Sequence, residues 1–330
     1  MKTKIAINGF GRIGRNLFRL LLNHPTIEVM AINDLADVKT MAHLLKYDSI
    51  HGILKENVDF DEKNLIVDGK KISYYSEKNI ENLNWSGIDF VIESTGKFKT
   101  YQAAQAHLNA GAKKVILSAP PEDDNIKTVV LGVNESILDG TETIISNASC
   151  TTNNAAPMIK IIDELCGIEQ AYITTVHSYT TDQSLHDQPH HDLRRARGAA
   201  QSIVPTTTGA AKALTKIFPK LEGKLGGSGI RVPVPNGSLT DITCYVSKIV
   251  TIDEINAAFL KASQNELKSI LAYTEAPIVS VDIIGNSHSC LFDAQLTSTI
   301  DKMVKVVGWY DNEIGYSSRI IDLITYISNK

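Results

Sequence analysis

The run Asn8-Gly9-Phe10-Gly11-Arg12-Ile13-Gly14 constrains the fold more than any other part of the chain. Gly9, Gly11 and Gly14 stand in G-x-G-x-x-G spacing. Lys4-Ile5-Ala6-Ile7 before them reads as a strand, and Ile13, Leu17, Leu20 and Leu21 after them recur at helical spacing. In that context glycine lets the backbone turn tightly and approach a pyrophosphate, and the helix N-terminus supplies free N–H groups and a positive dipole. Arg12 can add charge at the phosphates. Asp34 closes the second predicted strand, where a carboxylate accepts hydrogen bonds from both ribose hydroxyls and repels a 2′-phosphate. These features predict a nicotinamide dinucleotide, with NAD favoured over NADP.

The first half alternates strands and helices. Strand-like runs recur at Glu28–Asn33, Asp89–Glu93, Lys113–Leu117, Thr128–Leu131 and Thr143–Ser146. That alternation predicts a Rossmann-type, doubly wound parallel sheet. The second half is β-rich with few helices. Ala171–Tyr179, Leu239–Lys248, Ile278–Ile284, Cys290–Leu296 and Met303–Tyr310 read as strands of a mixed or antiparallel sheet in an α+β domain. Thr251-Ile252-Asp253-Glu254 is a capping box. Ile320, Ile321, Leu323, Ile324 and Ile327 mark a last helix expected to pack on the first domain. The expected domains are residues 1–149 with 313–330, and residues 150–312.

At 330 residues the chain has room for two cores. Its net charge of −4 points to neither nucleic acid nor an anionic membrane. No apolar run approaches the ~20 residues of a membrane span. The first strand begins too early to leave room for a signal peptide. Cys150, Cys166, Cys244 and Cys290 include no CxxC pair. A reducing, cytoplasmic setting is expected.

Chemistry concentrates at Ser149-Cys150-Thr151-Thr152-Asn153. Cys150 follows a strand, and the residues from Thr151 to Leu165 read as helical despite Pro157. Ser149 is the expected N-cap. A thiol at a helix N-terminus feels the positive end of the dipole and ionises more readily. The other three cysteines sit in apolar runs and read as small buried hydrophobes. His177 ends a predicted strand. Alone it reads as structural; beside a reactive thiol it is the natural base. His186, His190 and His191 lack a supporting acid or thiol set, so no metal is expected. Arg194, Arg195 and Arg197, with Thr206-Thr207-Thr208-Gly209, suit a small anion. Arg231 is a lone charge in an apolar stretch and needs a partner, for which a phosphate is suitable. The polar segment from Thr180 to Ala199 is long for a loop in a compact domain, which suggests function or an interface.

From end to end the chain resembles the phosphorylating glyceraldehyde-3-phosphate dehydrogenases. The matching runs are INGFGRIGR, LLKYDSIHG, ESTGKF, SNASCTTN, DLRRARGAAQSIVPTTTGAAKAL and WYDNEIGYSSR. The resemblance implies NAD-dependent oxidation of glyceraldehyde 3-phosphate to 1,3-bisphosphoglycerate through a cysteine thioester. It implies Cys150 as nucleophile and His177 as base. It implies Thr180 and Arg231 at the substrate phosphate, and Ser149, Thr151, Arg195, Thr208 and Gly209 at the attacking phosphate. Asn8, Gly9, Gly11, Arg12, Ile13, Gly14, Asp34, Lys78, Thr95, Ser118 and Asn312 match cofactor contacts. It further implies a homotetramer in which residues 180–199 line a neighbour's cofactor site. Three positions depart from the family pattern: Asn154 for a usual cysteine, Lys78 for a common arginine, and Gln188 for the leucine usual in NAD-specific members. Two alternatives are erythrose-4-phosphate dehydrogenase, which lacks the Tyr179-Thr180 and Thr207-Thr208-Gly209 set, and an idle NAD-binding protein, against which Cys150, His177 and Arg231 argue.

Overall fold

The computed structural model describes residues 2–330, which fall into two compact units. The first takes the chain up to Val129 together with Ser136–Ala148 and Ser317–Lys330. The second comprises Val130–Glu135 and Ser149–Tyr316.

The first unit is built on a nine-stranded sheet. Its spatial order is Lys127–Thr128, Ile144–Ser146, Lys114–Leu117, Phe90–Glu93, Thr3–Asn8, Ile27–Asn33, Lys70–Tyr75, Asn64–Val67, Val58–Phe60. Neighbours are parallel as far as Lys70–Tyr75, and the last two strands close the edge as antiparallel hairpins. Ile5, Ala6 and Ile7 are wholly buried, as befits a central strand covered on both faces. Helix Arg12–Leu21 buries Leu17, Phe18 and Leu21. Thr3–Asn8 has Ile27–Asn33 on one side and Phe90–Glu93 on the other, so strand order reverses beside it. Ligands of such sheets bind in the crevice outside the carboxyl ends of the strands at that reversal.

The second unit carries an eight-stranded mixed sheet. Strand Ile168–Ser178 runs parallel to Leu225–Val232 and antiparallel to Ser238–Val246, which in turn pairs antiparallel with Met303–Tyr310. Helix Cys150–Cys166 lies on these strands, between helices Ala210–Ile217 and Ile252–Gln264. The chain folds as the α/β class read from the sequence, with a parallel and a mixed sheet.

Local expectations differ at several places. The strand expected over Cys290–Leu296 stops at Asp293, and Ala294–Leu296 is a 3₁₀ turn because the Asp293 carboxylate accepts the Gln295 N–H at 3.1 Å. Residues 278–284 form no strand; Ser280–Ile283 is a 3₁₀ turn, because the Asp282 carboxylate accepts the Val279 N–H at 2.9 Å and offers the backbone a local bond in place of a ladder. Of the strand expected at 128–131 only Thr128 lies in the observed one, Lys127–Thr128, since the Asn134 side chain accepts the Val130 N–H at 2.7 Å and turns the chain. The sequence does not mark Leu225–Val232 as a strand, because its three glycines lower strand preference. Packing explains Gly226: a Cβ there would lie 2.8 Å from the Tyr172 ring.

Candidate active site

At the carboxyl end of strand Thr3–Asn8, the three motif glycines do different work. Gly9 has φ +95°, and a Cβ on it would sit 2.7 Å from the Thr95 nitrogen. A Cβ on Gly14 would sit 2.2 Å from the Gly9 carbonyl oxygen. Both glycines are required by the fold itself. Gly11, the N-cap of the helix, has φ −70° and open space where its Cβ would be. Nothing in the protein requires glycine there. A bare backbone facing open space at a helix N-terminus is what a pyrophosphate needs, so the residues present fit a dinucleotide.

Around this turn, Asp34 accepts the Phe10 N–H at 2.7 Å and the Ala36 N–H at 3.0 Å. The carboxylate therefore also clamps the turn to the end of strand Ile27–Asn33. Arg12 donates to Asp48 at 2.6 Å, and that pairing, with two backbone N–H donors, holds Asp48 down at about 2 despite its burial. Asp48 joins the site through Arg12, a pairing that sequence alone does not single out. Asn8 is buried, whereas Ile13, Thr95 and Ser118 are half-buried. Lys78 is exposed.

In the second unit Ser149 caps the nucleophile helix, its hydroxyl accepting the Thr152 N–H at 3.1 Å. Ala148, just before it, has φ +56°, a left-handed conformation that costs a non-glycine residue about 1–2 kcal/mol. Cys150 opens the helix and keeps part of its surface exposed, while Cys166, Cys244 and Cys290 are buried. Burial pushes Cys166 up to about 11 and Cys244 up to about 12, so neither is a thiolate near neutrality.

Parallel pairing sets His177 opposite Arg231, and antiparallel pairing sets Ser238 opposite Tyr310. Four strand ends thus converge beside the helix start. The His177 Nε2 lies 3.4 Å from the Cys150 sulfur. Its Nδ1 lies 2.7 Å from the Ser178 carbonyl oxygen and 2.8 Å from Arg231 Nη1, which also donates to that oxygen at 2.8 Å. Burial, reinforced by Arg231, pushes His177 down to about 3. Burial likewise pushes the Cys150 thiol up, opposed by Arg231 and by Thr151. This corrects the expectation of a readily ionised thiol: desolvation outweighs the helix terminus, and the resting pair is a neutral thiol beside a neutral imidazole.

Two devices here went unread in the sequence. The buried Tyr310 hydroxyl bridges Thr151 Oγ1 at 3.0 Å and Thr175 Oγ1 at 2.9 Å, tying the nucleophile's neighbour to the sheet. Asn312 Oδ1 accepts from Ser178 Oγ and Ser238 Oγ, each at 2.9 Å, which fixes the amide and leaves its NH₂ group for a ligand. Only tertiary pairing brings these residues together. Asn154, one turn into the helix, donates to the carbonyls of Ser289 at 3.2 Å and Trp309 at 3.3 Å.

Arg195 donates to Thr206 Oγ1 at 2.9 Å and pairs with Asp182. Its charge bears on both Arg231 and His177, and it is itself paired with Asp182 and Asp192. Thr208 accepts the Ala210 N–H at 3.2 Å, and Gly209 is the exposed N-cap of helix Ala210–Ile217. Thr180 is half-buried, its carbonyl accepting the Gln183 N–H at 2.9 Å. Among the described residues no group of His, Cys, Asp and Glu could hold a metal ion.

Residues 3–101 match the NAD binding domain of glyceraldehyde 3-phosphate dehydrogenase, and residues 149–312 match its C-terminal domain. Glyceraldehyde-3-phosphate dehydrogenase of Geobacillus stearothermophilus is 54% identical, covering 100% of this chain and 99% of its own length. The chain belongs to the glyceraldehyde-3-phosphate dehydrogenase family. Glyceraldehyde-3-phosphate dehydrogenase 2 of Streptomyces avermitilis is 52% identical, with 100% of both chains covered. Glyceraldehyde-3-phosphate dehydrogenase 1 of Bacillus subtilis is 51% identical, covering 100% of this chain and 99% of its own. As a family member the chain is an NAD-dependent oxidoreductase. The crevice around Gly9–Gly14 lies within the matched NAD-binding segment, and Cys150, His177 and Arg231 lie within the matched C-terminal segment.

Proposed function

We propose that the chain oxidises D-glyceraldehyde 3-phosphate, with NAD and inorganic phosphate, to 1,3-bisphosphoglycerate. The observation that carries this reading is the contact of Cys150 with His177, whose Nδ1–H is directed at the Ser178 carbonyl that Arg231 also reaches, leaving Nε2 to accept the thiol proton. The Cys150 sulfur attacks the aldehyde carbon, its proton passing to His177 Nε2 and from there to the carbonyl oxygen as the hemithioacetal forms. When bound, NAD supplies the acceptor for the hydride leaving that carbon. His177 takes the hydroxyl proton as the thioester forms. Inorganic phosphate then attacks the acyl carbon, the C–S bond breaks, and the Cys150 thiol is regenerated.

Arg231 and Thr180 hold the substrate phosphate; Ser149, Thr151, Arg195, Thr208 and Gly209 hold the attacking one. Arg231 and Arg195 support both assignments, since two dianions need fixed positive charge and Arg195 is fixed by Asp182 and Thr206. Asn8, Gly9, Gly11, Arg12, Ile13, Gly14, Asp34, Lys78, Thr95 and Ser118 hold NAD, with Asn312 offering its fixed amide to the carboxamide. We assign residues 1–149 with 313–330 to the cofactor domain and 150–312 to catalysis and assembly. A homotetramer is supported by apolar side chains left exposed on the second unit, Tyr172, Ile203, Tyr245 and Ile300 among them. A reducing cytoplasm suits four unpaired cysteines.

The test is NADH formation with glyceraldehyde 3-phosphate, with and without inorganic phosphate, in the parent and in Arg231→Leu. Turnover should require phosphate, and Arg231→Leu should depress kcat/KM for the phosphorylated aldehyde at least tenfold more than for glyceraldehyde, since about 1.5–3 kcal/mol rests on a charged hydrogen bond. Equal losses on both aldehydes would make Arg231 a scaffold for His177 alone.

A further inference from the structure

A buried polar chain runs across the carboxyl ends of the three central strands of the first unit, under the dinucleotide turn. Glu93 is its centre. Its Oε2 accepts from Asn8 Nδ2 at 2.6 Å and lies 3.1 Å from His107 Nε2. Its Oε1 accepts from the Thr95 N–H at 2.8 Å and from the Thr95 hydroxyl. On one side the chain continues to Asn33, which donates to Asn8 Oδ1 at 2.7 Å. On the other it ends at Trp85, whose Nε1 donates to His107 Nδ1 at 3.0 Å. Trp85 and His107 are wholly buried, and Glu93 is 3% exposed.

Donor and acceptor roles follow from chemistry. An indole N–H only donates, so the His107 Nδ1 is an acceptor and carries no proton. The proton therefore sits on Nε2, directed at Glu93, and the imidazole is neutral. Glu93 is then a buried carboxylate with four donors, which is how a buried charge is tolerated without a counter-ion.

The two walls of the crevice are both tied to that carboxylate. One wall is the Gly9 turn, held through Asn8. The other is Ser94–Thr95, whose Ser94 hydroxyl donates to the Gly9 carbonyl at 2.7 Å. Gly9 and Thr95 approach so closely that a Cβ would not fit between them. His107 is the donor that reaches Glu93 from outside the strand ends, from helix Tyr101–Asn109.

We propose that His107 and Trp85 are positioning residues for NAD: Trp85 fixes the His107 tautomer, His107 fixes the Glu93 carboxylate, and Glu93 sets the spacing of the crevice walls. Neither residue lies on a wall itself. The inference concerns the NAD site alone and does not depend on the roles given to Cys150, His177 or Arg231.

Calorimetric titration of the apoprotein with NAD tests it, beside its melting temperature and steady-state kinetics. His107→Leu should weaken NAD about tenfold, one 1.4 kcal/mol step, while kcat at saturating NAD and KM for glyceraldehyde 3-phosphate stay within twofold. His107→Gln, whose amide N–H replaces Nε2–H, should restore most of the affinity. Trp85→Phe, which keeps the ring and deletes the donor, should weaken NAD in the same direction and serves if His107→Leu does not fold. NAD affinity within twofold of the parent in a folded His107→Leu or Trp85→Phe would overturn the proposal, whatever the melting temperature does. Failure of His107→Gln to restore NAD affinity would overturn it as well. Loss of kcat with unchanged NAD affinity would likewise overturn it, and would leave the Cys150–His177 assignment untouched.

Discussion

Replacing His177 by asparagine separates two descriptions of the nucleophile. Burial raises the Cys150 thiol above its ordinary value of 9.0. A thiol raised above its ordinary range is overwhelmingly un-ionised at pH 7. His177, pushed down to about 3, is unprotonated at the same pH and free to accept the thiol proton across 3.4 Å. The neutral pair therefore reacts by concerted proton transfer. In His177→Asn only the pre-ionised thiolate can attack, so the NADH burst at pH 7 should fall at least ~10²-fold, within the ~10²–10⁴ typical of a general base. The residual burst should climb about tenfold per pH unit toward pH 9, because thiolate fraction rises so. Alkylation of the apoprotein by iodoacetamide needs thiolate but no base. It should stay within about threefold of the parent, as RT ln 3 is about 0.6 kcal/mol, the scale of a small electrostatic change. The assays are a stopped-flow burst and an alkylation time course over pH 6–9. A drop of tenfold or more in alkylation at pH 7 would reveal a preformed thiolate–imidazolium pair and refute this reasoning.

Gly14→Ala should fail to fold stably, since its Cβ would lie 2.2 Å from the Gly9 oxygen, whereas Gly11→Ala should melt like the parent and lose NAD affinity at least tenfold by titration. Asp34→Ala should gain NADP use while also weakening NAD several-fold, because the carboxylate both repels a 2′-phosphate and holds the Phe10 N–H; unchanged NAD affinity would remove the clamp role. His177 binds its proton far more weakly folded than unfolded, so the unfolded chain takes up the extra proton as pH falls below 6.5 and stability is lost from there down through about 3. Between pH 7 and pH 5 that loss is about 2 kcal/mol, and His177→Asn should lack it in urea titrations at the two pH values; parallel curves for parent and variant would show that His177 is not buried neutral.

What the sequence determined by itself was whatever depends on neighbours along the chain. Glycine spacing between a strand and a helix marked the cofactor turn, because Gly9, Gly11 and Gly14 follow one another along the chain, although the Thr95 backbone that crowds Gly9 comes from a distant segment. The cap at Ser149 and the capping box at Thr251 were equally legible, each closing over three residues. Tertiary structure decided the rest. Cys150 and His177 stand 27 positions apart, and Arg231 meets His177 across 54. Those distances are set by strand register, which sequence periodicity does not encode. The Gly-rich strand that delivers Arg231 looked unlike a strand because its glycines answer to Tyr172 and the helix start packed over them. The Glu93–His107–Trp85 chain was invisible for the same reason, its members drawn from a strand, a helix and a loop that meet only in the folded unit. Even the ionisation of Cys150 reversed between the two levels of description. Local sequence supplied a helix terminus that favours the thiolate, and burial, which only the fold creates, supplied a larger cost in the opposite direction.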